Sequence, residues 1–216
     1  MTERESQAWQ FVVKSAAWTA VVFAAACGGS DSRQPQTETQ SPTQTQAPAE
    51  AAEKPFASGG KIEMQLASGG YVIRPGSGNT IRVSFSGNVG SATADVSTAE
   101  TQANVTVKDT PRNNFQATIE VPRNADLVIR LTAGELKVEA INGNKDIESN
   151  AGNVDVVTGD AKDYASVDAS VQAGDINAEA FGESRSGVFP KLTWSGQGKY
   201  TLRARLIAGN LTLRRQ

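Results

Sequence analysis

Few residues in this chain have side chains that could do chemistry. Its 216 residues include one cysteine, Cys27, and no histidine. Losing histidine removes the commonest general base, the commonest metal ligand and every Ser-His or Cys-His nucleophile. A lone cysteine permits neither an intramolecular disulfide nor a thiolate metal cluster. Ser58-Gly59-Gly60-Lys61 has the spacing of serine acyl-enzymes. That motif needs a helical turn to bring lysine under serine, and a Gly-Gly pair does not supply one. Gly76-Ser77-Gly78 reads as a plain turn, with no helix behind it to complete a phosphate loop.

The charged residues are unevenly spread. Residues 135–183 hold eleven acids against three lysines, a net of −8, whereas residues 184–216 hold seven basic residues and no acid. The acids could form a Ca²⁺-binding ladder, but the Gly-Gly-x-Gly-x-Asp nonapeptide is absent. Glycosidase chemistry would use two carboxylates at a set separation, and no pair stands out. The plainer expectation is a solvated outer face that keeps strands from pairing with other chains. Arg203 and Arg205 alternate with Leu202, Ala204 and Leu206, so they share an outer face. With Arg214 and Arg215 they form the candidate ligand-binding group, suited to anionic lipid, lipopolysaccharide or an acidic glycan. They could equally pair with the acidic strands. We expect no catalytic residue, no metal site and no cofactor, and the formal net charge of −2 argues against nucleic acid as a partner.

The elements carrying these charges follow a recurring phrase: Ala-Gly, one polar residue, then apolar–polar–apolar. It occurs around Gly134, Gly152, Gly174 and Gly209, at steps of 18, 22 and 35 residues. Leu136/Val138, Val154/Val156, Ile176/Ala178 and Leu211/Leu213 should point inward, with Cβ atoms alternating along each strand. Further glycines at 143, 159 and 182 suit tight corners. Upstream, Ile62/Met64/Leu66 and Ile81/Val83/Phe85 alternate in the same way. Ala165 and Ala169 suit a narrow interior. Aromatic residues are only 6% of the chain, so the core must come from Val, Ile, Leu and Ala. A repeat of about 20 residues carrying a turn and a short strand predicts an all-β, β-solenoid or β-helix-like domain over 58–216. An irregular β-sandwich is the alternative.

Residues 15–26 form an apolar run of twelve, too short to span a bilayer, which needs about 20. It has the length of a signal-peptide core. Ala24-Ala25-Ala26-Cys27-Gly28 resembles the lipobox of bacterial lipoproteins, with Ala24 where most carry leucine. The resemblance implies a signal peptide over 1–26 and acylation of Cys27, palmitate included, as the membrane anchor. Gly28 in place of aspartate implies the outer membrane or cell surface in a Gram-negative cell. Residues 27–57 are rich in Gln, Thr, Pro and Ala, with no larger aliphatic residue, and read as a disordered tether.

The repeat phrase, together with the step Val121-Pro122 leading into Leu127–Leu131, resembles the adhesin-labelled family of β-strand repeat domains, a domain of unknown function often found behind lipoprotein signals. The resemblance is good over 105–216 and loose over 58–104. It implies a β-helix-like repeat domain and carries no catalytic residues. The expectation is a lipid-anchored cell-envelope protein acting as a non-catalytic, adhesin-like binding or scaffolding module. Its partners would be the membrane through Cys27, and a glycan, lipopolysaccharide or surface protein. Alternatives are an envelope carbohydrate-binding or carbohydrate-active protein, and a periplasmic structural or signalling partner.

Overall fold

The computed structural model describes residues 49–215. The segment expected to be a signal peptide, Cys27 and the expected tether up to residue 48 lie outside the described residues. The alternation of apolar and polar residues is realised as fourteen strands: β1 (Ala49–Pro55), β2 (Lys61–Leu66), β3 (Gly69–Pro75), β4 (Thr80–Gly87), β5 (Thr93–Ala99), β6 (Gln102–Lys108), β7 (Phe115–Val121), β8 (Asp126–Val138), β9 (Lys145–Val157), β10 (Tyr164–Ala178), β11 (Glu183–Val188), β12 (Lys191–Ser195), β13 (Tyr200–Ala208) and β14 (Leu211–Arg214). All belong to one mixed sheet. Helix among the described residues is confined to two three-residue 3₁₀ turns, Ala161–Asp163 and Glu179–Phe181.

The repeat copies stack in parallel and in register. Ile129 lies beside Ile147, Gly134 beside Gly152, and Leu136 beside Val154 across β8 and β9. The fourth copy, β13 with β14, also lies on β9, setting Ala204 against Ile147 and Leu211 against Val154. The third copy, β10, lies on the other side of β13. The spatial order is therefore first, second, fourth, third. A coil wound in sequence order would have given first, second, third, fourth. In this order the basic strand β13 separates β9 and β10, both of which carry acids on their outer faces. The 35-residue step supplies the chain needed for the detour, and β11 and β12 within it pair antiparallel to β10.

Each repeat strand turns a corner at its glycine. Leu127, Ile129 and Leu131 are buried before Gly134, whereas Leu136 and Val138 are buried after it, so the inward parity switches from odd to even numbers. The switch requires φ of +120° at Gly134, and +116°, +139° and +129° at Gly152, Gly174 and Gly209. The corners also lie backbone on backbone. A Cβ on Gly152 would overlap the Gly134 carbonyl oxygen, one on Gly209 that of Gly152, and one on Gly174 that of Gly209. A Cβ on Gly134 would overlap the carbonyl of Gly69, which reveals a fifth copy. In it Ile62, Met64 and Leu66 precede the corner, and Tyr71 and Ile73 follow it. β6 and β7 form one further level, interrupted by residues 109–114.

Antiparallel strands close both ends. β4 and β5 pair with β7 and β6, and β1 pairs with β4. Ala49–Pro55, within the 27–57 segment expected to be a tether, forms strand β1. Its backbone pairs with β4, and Glu50 and Glu53 lie beside Arg82. At the far end, Glu183 and Arg185 occupy positions beside buried Ala178 and Ile176, so charged side chains terminate the core. Such inward charge on an edge strand discourages further strands from adding. The interior is chiefly Val, Ile, Leu and Ala, with aromatic clusters near the two ends: Tyr71, Phe85 and Phe115, then Tyr164, Phe181, Trp194 and Tyr200. Ala169 is buried as expected, but Ala165 is not inward. The β10–β13 register shifts there and Tyr164 takes the inward place.

Candidate functional site

The parallel register brings the predicted arginines against the acids. Arg203 stands between Asp146 on β9 and Asp168 on β10, and Arg205 between Glu148 and Ser170. Arg205 Nη1 lies 3.2 Å from Glu148 Oε1. On β8, Arg130 reaches Asp146 Oδ1 at 3.1 Å and Glu148 Oε2 at 3.2 Å. Glu148 thus bridges two arginines. Arg214 Nε lies 2.9 Å from Asp155 Oδ1. Arg215 donates from Nη2 to the Ala180 carbonyl at 3.5 Å. Arg203 forms no ion pair among the described residues. The four arginines do not converge: Arg203 and Arg205 lie before the glycine corner, and Arg214 and Arg215 after it. These pairs are half exposed, and each contributes about 1 kcal/mol or less.

A groove of about 420 Å³ lies on the outer face of β6, β2, β8 and β9, just before the corners. Thr106, Gln65, Arg130 and Glu148 line one side, and Lys108, Thr132 and Asn150 continue beside them. Successive strands offer hydroxyl, amide, guanidinium and carboxylate groups at about 4.8 Å spacing, with the Lys108 ammonium farther along β6. Such a wall can hydrogen-bond a ligand lying across the strands, but no nucleophile sits beside a base in it. Sequence reasoning missed this groove. Its residues come from four strands up to 85 positions apart, and alternation does not report lateral neighbours.

Asp160 is used locally. Its carboxylate accepts from the Lys162 backbone N–H at 3.1 Å, which holds its pKa below the usual range. Among the described residues, no three His, Cys, Asp or Glu side chains gather where a metal ion could sit.

One chemically distinctive group is buried. Lys145 is 2% exposed and occupies the inward position shared with Leu127 and Leu202. Its ammonium donates to the Ile141 carbonyl at 2.6 Å, the Gly143 carbonyl at 3.1 Å and the Tyr164 hydroxyl at 3.3 Å. Burial pulls its pKa down to about 8, opposed only in part by Asp126. Tyr164 also lines a cavity of about 230 Å³ with Asn142, Thr158, Asp163 and Tyr200. Burial raises the Tyr164 and Tyr71 pKa values, and the Tyr71 hydroxyl has no hydrogen-bond partner among the described residues. Lys145 was readable in principle: aligning the copies sets it in phase with Leu127. Counted only against neighbouring acids, it looked like a surface cation.

No protein-family profile matches the chain, and neither does any curated protein. Among solved structures, it is similar to a "putative cell adhesion protein" from Clostridium sporogenes ATCC 15579. The two are 14% identical with a TM-score of 0.46, over 79% of this chain and 100% of that one. A "putative adhesin" from Parabacteroides distasonis ATCC 8503 is 12% identical with a TM-score of 0.24, over 75% of this chain and 68% of that one.

Proposed function

We propose that the chain is a lipid-anchored cell-envelope protein, held by Cys27, whose β-solenoid-like domain binds or scaffolds without catalysis, as an adhesin-like module. One observation carries the binding role. In-register stacking aligns Thr106, Gln65, Arg130 and Glu148 along a continuous groove on the outer face. A rigid row of mixed donors and acceptors suits recognition of an extended polar partner such as a glycan or surface protein. The carbohydrate-cleaving alternative gains no support, since Asp155 is held by Arg214 and Asp160 caps a turn.

Protease treatment of intact cells tests the surface role. A surface module is degraded, whereas a chain protected until the outer membrane is opened cannot act as a surface adhesin. Cys27→Ala should move the chain from the membrane to the soluble fraction, and retention in the membrane would refute the anchor. Binding of a glycan panel that weakens when Arg130 and Gln65 are replaced by alanine would assign the groove.

A further inference from the structure

The strand order gives β13 and β14 two acidic walls and a short hinge. β13 is paired on both sides, by β9 and by β10. The chain reaches this slot from β12, which lies on the opposite side of β10, through residues 196–199 alone. That link wraps tightly around the start of β10. Gly196 N–H donates to Ala165 O at 2.9 Å, Gly198 N–H to Tyr164 O at 3.0 Å, and Lys199 N–H to Asp163 O at 3.0 Å. A Cβ at Gly198 would overlap the Asp163 carbonyl.

The walls and the filler are complementary in charge. Asp146 and Asp168 flank Arg203, Glu148 pairs with Arg205, and Asp155 pairs with Arg214. If β9 and β10 closed on each other in their present registers, Asp146 would face Asp168 and Asp155 would lose its arginine. Like charges set opposite one another disfavour that closure. Charge therefore favours a basic strand between β9 and β10 over their direct pairing.

We propose that this slot also accepts β13 and β14 of a second copy of the chain, by reciprocal exchange of everything from Tyr200 onward. Every pairing in the slot is reproduced, because the incoming segment is identical. The link over residues 196–199 becomes the hinge, and opening it releases a tight crossing; short constrained hinges favour such exchange. The product is a two-fold dimer in which Arg203 of each copy lies between Asp146 and Asp168 of the other.

The test uses the full chain with Cys27 retained. Two differently tagged forms are co-expressed, one carrying Asp146→Cys and the other Arg203→Cys, and oxidised in lysate. Glu148→Cys with Arg205→Cys is run in parallel. Exchange gives disulfide-linked heterodimers about tenfold above those from Asp146→Cys paired with the exposed Thr93→Cys, because the slot raises the local thiol concentration. A single chain carrying both Asp146→Cys and Arg203→Cys shows, by closing internally, that the substituted fold forms. Internal closure with heterodimer no higher than the Thr93 control overturns the proposal. Light scattering on the unsubstituted chain in detergent is independent of the cysteines. A dimer that becomes monomeric when Gly-Ser-Gly-Ser is inserted after Gln197 supports exchange. A chain that is monomeric throughout, or a dimer indifferent to hinge length, overturns it.

Discussion

Lys145→Met isolates the energetic role of the buried ammonium. Methionine keeps the unbranched stem and packs between Leu127 and Leu202, but it removes the charge and the three donors. The native pKa of about 8 lies well below the ordinary value of 10.5. Between these values the unfolded chain binds more protons than the folded one, so stability rises with pH. At pH 7 the charged form costs the fold about 3 kcal/mol, at 1.36 kcal/mol per unit. About 2 kcal/mol of that is recovered by pH 9.5, raising the melting temperature by roughly 4–8 °C for a domain of this size. Above pH 10 the raised pKa values of Tyr71 and Tyr164 act in reverse, because the folded state keeps their protons longer and stability falls. The informative window is therefore pH 7 to 9.5. Thermal unfolding followed by circular dichroism should show the rise in the wild type and a flat line in Lys145→Met. At pH 7 the variant gains the relieved charge but orphans two carbonyls and a hydroxyl, at about 1–3 kcal/mol each. It should therefore be less stable there, and by a larger margin at pH 9.5. A flat wild-type curve, or a variant that keeps the slope, would refute this reasoning.

Two further outcomes follow from the packing. Gly152→Ala should cost about 3 kcal/mol or more in urea unfolding, since it combines φ of +116° with overlap on the Gly134 carbonyl; Gly159→Ala, with open space around it, should cost about 1 kcal/mol. Arg205→Ala should cost less than about 1 kcal/mol, whereas Arg205→Glu sets like charge beside Glu148 and should cost more, by a margin that shrinks in high salt.

Alternation alone places Leu136, Val154, Ile176 and Leu211 inside, because the period of two reports each strand's own faces. It does not report which strand lies alongside which. Hence the position of β13 between β9 and β10 was hidden, although the charge division of the chain was its visible trace. The copy at Gly69 departs from the phrase, because Ser68 replaces alanine and Gly70 replaces the usual polar residue. The strand Ala49–Pro55 is legible only through Arg82, a partner some thirty positions away. Alternation reports that Arg203 and Arg205 share a face, but the acids that engage Arg205 and Arg214 are nearly sixty residues distant.

The glycine corners have a consequence for how this domain can change over time. At Gly134, Gly152, Gly209 and Gly174 the missing Cβ faces the carbonyl of the neighbouring level, so the backbone of one copy dictates the residue allowed in the next. Gly134, Gly152, Gly209 and Gly174 therefore form a single constraint distributed over four positions, resting on the Gly69 backbone at one end. Point substitution within this seam is blocked by a neighbour that cannot retreat. Gain or loss of a whole copy keeps the seam intact, which makes duplication the accessible route to a longer or shorter domain.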